Sequence, residues 1–230
     1  MKLLLIAGHG AGDPGATATY AGKRYREADE TRDLAARLAS ELKKRYEITV
    51  TQFDPAKNAY TELQRGRSLA ASFSGCDYAL ELHFNASGVS AADGRRKGTE
   101  CYIPVGGEAG PAAALCAALQ PLGFPNRGVR HKNFAVISAA KRAGVPAALL
   151  EVCFLDDPDD CSLWLQNKEA VAAAIADGLC RAFSLPLRQP RTSREIVQTA
   201  AGLSDGTMDY LASYRWGKEL LDKLAAAITR

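Results

Sequence analysis

Along the first 184 residues the apolar positions switch repeatedly between two periods. "KLLLIA" (2–7), "EITVTQF" (47–53), "DYALELHF" (77–84), "TECYIP" (99–104) and "AALLEVCFL" (147–155) are short apolar or alternating runs and predict strands. Between them, apolar residues recur every three or four positions and predict helices. "EADETRDLAARLASELKKRY" places Leu34, Leu38 and Leu42 on one stripe; "YTELQRGRSLAASF" and "EAGPAAALCAALQPL" follow, and an Ala-rich helix runs from Asp156 to about Phe183. "NASGVSAADGRRKG" reads as a polar loop and "NFAVISAAKRAG" as a mixed segment, and no stretch repeats internally. Strands that are largely apolar and alternate with helices predict an α/β fold, a mainly parallel twisted sheet with helices on both faces.

The pattern changes at "SLPLRQPRTS", which has two prolines and no periodicity and reads as a linker. The expected organisation is a main domain over 1–184, a linker over 185–193 and a small helical appendage over 194–230. In the appendage Ser193 is placed to cap "REIVQTAAGL", and a second helix, "MDYLASYRWGKELLDKLAAAI", follows the turn "SDG". Leu211, Tyr214, Leu220, Leu221 and Leu224 suggest its buried stripe. Two helices are too few for a robust core, so this tail is expected to pack on the main domain, on a partner or on another copy of itself. It is therefore the expected route to a homo-oligomer, or a targeting device.

Composition narrows the function classes. Hydrophobic residues make up 47% of the 230 and charged residues 24%, the profile of a soluble globular protein. A net charge of +3 does not argue for nucleic acid or an anionic membrane surface. No apolar run approaches the roughly 20 residues of a membrane span. "MKLLLIAGHG" has one lysine and then only Leu3 to Ala7, short of the apolar core of about 7–15 residues in a secretory signal. It reads as a first buried strand, and synthesis and folding in the cytoplasm are expected. The six cysteines form no CxxC pair, so reduced, buried thiols are expected rather than a zinc-cysteine cluster.

Within "LELHFNAS" the alternation sends Leu80, Leu82 and Phe84 to one face and Glu81, His83 and Asn85 to the other. His83 and His9 both fall at carboxyl ends of predicted strands, the edge where open α/β sheets place ligands. Either alone is more simply a hydrogen-bonded structural histidine; both at one edge are harder to dismiss. Glu27 precedes Leu34 by two helical turns and so projects from the same inward face, where a carboxylate needs a partner. Asp29 and Glu30 can serve the helix dipole from exposed positions. Two imidazoles and a carboxylate with a vacant position form the ligand set of catalytic zinc hydrolases. Glu151 is the one carboxylate in an otherwise apolar strand. A role beside a metal ion, accepting a proton from the attacking water, accounts for the cost of burying it.

Two motifs read as decoys. "GAGDPG" satisfies GxGxxG, but the helix begins some ten residues later and Pro14 sits in the turn, which argues against a dinucleotide. Asp156, Asp157, Asp159 and Asp160 surround a proline at a helix start, where capping and dipole effects explain them better than a calcium loop.

"GHGAGDPGA", the Glu27 helix, "LELHFNAS", "KGTECY" and "LLEVCFLDDPDD" stand in the order seen in zinc-dependent N-acetylmuramoyl-L-alanine amidases of type 3. Residues 1–184 resemble that family, in particular its phage endolysins. The resemblance implies that His9, Glu27 and His83 bind one Zn2+ and that Glu151 is catalytic. It implies a peptidoglycan substrate, cleaved between N-acetylmuramic acid and L-alanine, and with the lack of an export signal it implies release through a holin-type pore. Glu81 stands where many members carry a small residue; it is a candidate for orienting His83, or for a salt bridge at the sheet edge. Asn85 is placed to bind substrate or to hold the following loop. His131 lies in "RGVRHKNFAVI", which resembles the segment bordering the substrate groove, and reads equally as an exposed loop histidine. The residue types alone support only a zinc hydrolase. A zinc peptidase acting on stem peptides and a non-catalytic wall-binding protein with a retained metal site remain the alternatives.

Overall fold

The apolar runs do assemble into one sheet. A computed structural model describes all residues except 89, 90, 190 and 230, so those positions of the predicted loop, linker and appendage lie outside the described residues. Residues Met1–Leu187 form one compact unit and Arg188–Arg230 a second.

In the first unit β1 (Lys2–Ala7), β4 (Thr49–Gln52), β5 (Tyr78–Asn85), β6 (Thr99–Ile103), β7 (Asn126–His131) and β8 (Ala147–Phe154) make a six-stranded sheet in the order β4-β1-β5-β8-β6-β7. Neighbours are parallel except β6 and β8, which run antiparallel. Leu3, Leu5, Leu80, Leu82, Leu150 and Val152 face one layer, formed by α1 (Glu27–Arg45), α4 (Gly110–Leu119) and α7 (Lys168–Phe183). Leu34, Leu38 and Leu42 of α1 are fully buried there, each worth about 1.5–3 kcal/mol of transfer free energy. Leu4, Ile6, Ala79 and Leu149 face the other layer, with α2 (Ala59–Gln64), α3 (Ala70–Phe73) and α5 (Ala135–Arg142). All six cysteines are thiols, five of them buried.

Several elements differ from the sequence expectation. "YTELQRGRSLAASF" is two short helices, α2 and α3, because Gly66 takes a left-handed φ of 72° between them. The Ala-rich helix is likewise two, α6 (Pro158–Gln166) and α7, interrupted at Asn167. Residues 17–26 form a hairpin, β2 (Thr17–Tyr20) with β3 (Lys23–Arg26), whose polar composition gave no strand signal. The segment around "NFAVISAAKRAG" forms α5. Glu30 is buried rather than exposed, accepting from Trp164 Nε1 at 2.8 Å and paired with Lys168.

Among its described residues the second unit holds three helices, α8 (Ser193–Ala201), α9 (Asp205–Ser213) and α10 (Gly217–Ile228), not two. The chain breaks after Tyr214, and the tight return requires Gly217; a Cβ there would lie 2.2 Å from the Leu211 carbonyl oxygen. Thr192, not Ser193, caps α8, in a capping box with Glu195. The core is Val197, Met208, Leu221 and Ala225, whereas Tyr214, Leu220 and Leu224 of the expected stripe are exposed. The break rotates α10 relative to α9, so a stripe drawn through one continuous helix misplaces its face.

Candidate metal centre and active site

One row of side chains crosses the sheet on the α2/α5 face. His83 of β5 pairs in register with Glu151 of β8, and Glu151 with Glu100 of β6. Gly8, whose amide donates to Leu82, closes the row beyond β1; a Cβ on Gly8 would meet His83 Cε1 at 2.3 Å, so only glycine lets the imidazole lie over the backbone. Glu27 reaches the same place from the start of α1.

The Glu27 carboxylate sits between the two imidazoles, 2.9 Å from His83 Nδ1 and 3.1 Å from His9 Nε2. Backbone amides of Ala16 and Phe84 donate to its two oxygens at 2.8 and 2.9 Å. Burial works to raise the Glu27 pKa, but the hydrogen bonds and charges of His83 and His9 outweigh it and hold the carboxyl at about 2. Burial likewise opposes protonation of His9 and His83, and carboxylates outweigh it, raising both. One ligand atom from each of His9, Glu27 and His83 lies within 4.8 Å of the others. Two nitrogens from half-buried imidazoles and an oxygen of a buried carboxylate fit a borderline-soft divalent ion such as zinc.

The far nitrogens are also met by carboxylates. His9 Nδ1 is 2.8 Å from Asp13 Oδ2, which also accepts from Asn58 Nδ2 at 3.1 Å. His83 Nε2 lies 3.1 Å from Glu81 Oε1, close but not aligned as a hydrogen bond. Metal-binding histidines commonly have such partners, which fix tautomer and ring orientation. His9 itself has a left-handed φ of 60°, and Arg32 holds that loop by donating to the carbonyls of Gly8 at 3.1 Å and His9 at 3.0 Å.

Glu151 opens onto a cleft of about 260 Å3 bordered by His9, Tyr60, Glu81, His83 and Phe134. Burial raises its pKa; the His83 charge lowers it, and Glu27, Glu100 and Glu81 raise it further, to about 7. Its Oε2 is buried and has no hydrogen-bond partner among the described residues. A carboxyl with that affinity and a free oxygen is suited to take up and return a proton.

The structure thus places His9, Glu27, His83, Glu81 and Glu151 together. Asn85 Nδ2 donates instead to Glu100 Oε1 at 2.8 Å, and its own oxygen accepts from Ala86. His131 is exposed at the end of β7 and does not border the cleft. Asp157 caps α6, accepting from Asp159 and Asp160 amides, while Asp156 and Asp159 accept amides of Ser87, Gly88, Asp93 and Gly94 and so fasten that loop. Asp13, Asn58, Arg32 and Glu100 were not singled out from sequence. The one available signal was for Glu100, which shares a strand face with Tyr102.

A family model described as N-acetylmuramoyl-L-alanine amidase matches residues 3–181. The chain is 28% identical over 220 residues to the N-acetylmuramoyl-L-alanine amidase CwlM of Bacillus licheniformis, covering 93% of this chain and 80% of that protein. It is 26% identical over 192 residues to the endolysin of Bacillus phage SPP1, covering 79% of this chain and 65% of that one. Among solved structures it is similar to the catalytic domain of CwlV, an N-acetylmuramoyl-L-alanine amidase from Bacillus (Paenibacillus) polymyxa var. colistinus. That likeness has a TM-score of 0.64 and 28% identity, over 80% of this chain and 98% of the other.

Proposed function

This chain belongs to the N-acetylmuramoyl-L-alanine amidase family, and from that premise we propose a zinc-dependent peptidoglycan hydrolase that cuts the amide between N-acetylmuramic acid and L-alanine. His9, Glu27 and His83 would hold the ion, with Asp13 and Glu81 steadying the imidazoles from behind. Bound there, zinc would supply Lewis-acid polarisation of the scissile carbonyl and make a nearby water acidic. Glu151 accepts the proton of the attacking water and delivers it to the departing amine of L-alanine. The observation that carries this reading is Glu151 itself: a carboxyl with a pKa of about 7 and an uncommitted buried oxygen, in register with His83.

The test is mass analysis of digested peptidoglycan. Intact glycan strands and a new free amino group on L-alanine are expected. Cleavage only within the stem peptide would mean a peptidase, and no cleavage by the zinc-loaded protein a non-catalytic binder.

The likeness to the phage SPP1 endolysin supports a lysin reading, in which the enzyme crosses to the wall through a holin-type pore. Expressed in a susceptible host, it should lyse cells only when a holin is co-expressed. For residues 188–230 we favour wall targeting. Tyr210, Tyr214 and Trp216 are exposed there, and aromatic faces suit stacking on sugar rings. An alignment covering 93% of this chain necessarily enters that unit, so its likeness to a wall hydrolase is not confined to the catalytic part. Pairing of copies through these helices is the competing outcome.

A further inference from the structure

The site row continues past Glu151 into a feature that the cleavage chemistry does not use. Glu100 is 3% exposed, and its carboxylate gathers four donors: Asn85 Nδ2 at 2.8 Å and Tyr102 OH at 2.9 Å on Oε1, Arg127 Nε and Arg130 Nε both at 3.1 Å on Oε2. Each guanidinium therefore turns its Nε inward. Arg127 Nη1 makes only a long contact of 3.4 Å to the Lys97 carbonyl, and among the described residues no acceptor meets the Nη groups of Arg130. Their side chains are 37% and 52% exposed.

β7 is an edge strand, and charges on an edge can serve simply to block strand pairing. That explanation accounts for the charges but not for their convergence on one buried acceptor. Here two guanidiniums are fixed on one buried carboxylate, on the same sheet face as Glu151. Their charge exceeds that of Glu100 by one, beside a site whose own protein groups include Glu27, Glu81 and Glu151. A ligand carboxylate is drawn to the net positive charge of this rim.

We propose that Arg127 and Arg130, held by Glu100, form a carboxylate-binding subsite for the stem peptide and so orient the substrate, peptide over β6–β7. This rests on the amidase reading. Adjacent strands are about 4.8 Å apart, so β7 lies roughly 10 Å from Glu151, which an extended peptide spans in about three residues. The recognised group is therefore a carboxylate on the second or third residue of the leaving peptide. The muramoyl side, whose lactyl carboxyl is tied up in the amide, takes the opposite direction. Paired guanidinium Nη groups match a carboxylate fork, and Glu100 is a positioning residue that sets their angle.

The test uses the zinc-loaded full chain and two soluble N-acetylmuramoyl tripeptides, one with free carboxylates and one with them converted to carboxamides. The wild type should favour the first by about 10-fold or more in kcat/KM, chiefly through KM. Arg127→Ala and Arg130→Ala should each lose most of that preference, with a loss in kcat/KM several-fold larger on the free carboxylates than on the amidated substrate, and Arg130→Lys should restore part of it. Equal losses on both substrates would mean that the arginines only support Glu100, and this proposal would fall. So would a wild type that cleaves both substrates equally well. A wild type that cleaves neither would overturn the amidase reading along with it.

Discussion

The two compact units differ in what they bury beyond hydrophobic side chains. Residues 1–187 hide charge: Glu27, Glu30, Glu81, Glu100, Asp157 and Asp160 are buried. Among the described residues of 188–230, four hydrophobic residues are buried and six large ones lie outside, from Tyr210 to Ile228. Buried charge is tolerated only where partners are placed in advance, so the first unit carries its function as fixed geometry. A small three-helix unit with so little core instead leaves large apolar side chains on its surface.

The largest expected effect lies in the fixed geometry. Glu151→Gln is nearly isosteric and should keep zinc and fold, yet lose about 10²–10⁴-fold in kcat. A near wild-type rate would remove Glu151 from the mechanism. Glu81→Gln and Asp13→Asn test the supporting carboxylates. Each should weaken zinc affinity by about 10–100-fold, read by competition with a chelator, with little change in melting temperature of the metal-free protein.

How much of this was legible in the sequence follows from the range of the interactions. His83 and Glu151 stand out because a period of two sets them against apolar neighbours, and Glu27 because a stripe of leucines fixes its side of α1. Asp13 was hidden in a Gly/Pro turn; its contact with His9 depends on a left-handed φ of 60° that no local pattern announces. Glu100 was visible only as one letter of a short strand, since its arginines come from "NRGVRH", which lacks the apolar alternation of a strand. The helix breaks at Gly66, at Asn167 and between Tyr214 and Trp216 failed for a related reason: apolar spacing continues across them while the backbone does not.

A smaller effect should appear in the pH dependence of stability of the chelated protein. The Glu27 carboxyl, lowered from 4.5 to about 2, contributes above its unfolded value, up to about 3 kcal/mol, and loses this as pH falls through the folded value. His9 and His83 are raised above 6.5, so their contribution is present below that value and lost as pH rises through their folded values. Urea titrations should therefore find the cluster's contribution greatest between about 4.5 and 6.5. A midpoint unchanged from pH 5 to 2.5 would contradict this.

The smallest effect on chemistry should come from the other unit. Tyr210→Ala with Trp216→Ala should leave turnover of soluble muropeptides within about twofold, because neither residue belongs to the site, but should reduce co-sedimentation with intact walls. Unchanged wall binding with altered sedimentation velocity would make the unit an assembly device.

The account rests most directly on the three ligands. Elemental analysis of the purified chain and of His83→Ala, both dialysed against the same limiting zinc, decides it. About one zinc per wild-type chain is expected, and far less in the variant. A His83→Ala protein with a full complement of zinc, or an active wild type with none, would contradict the metal centre described here.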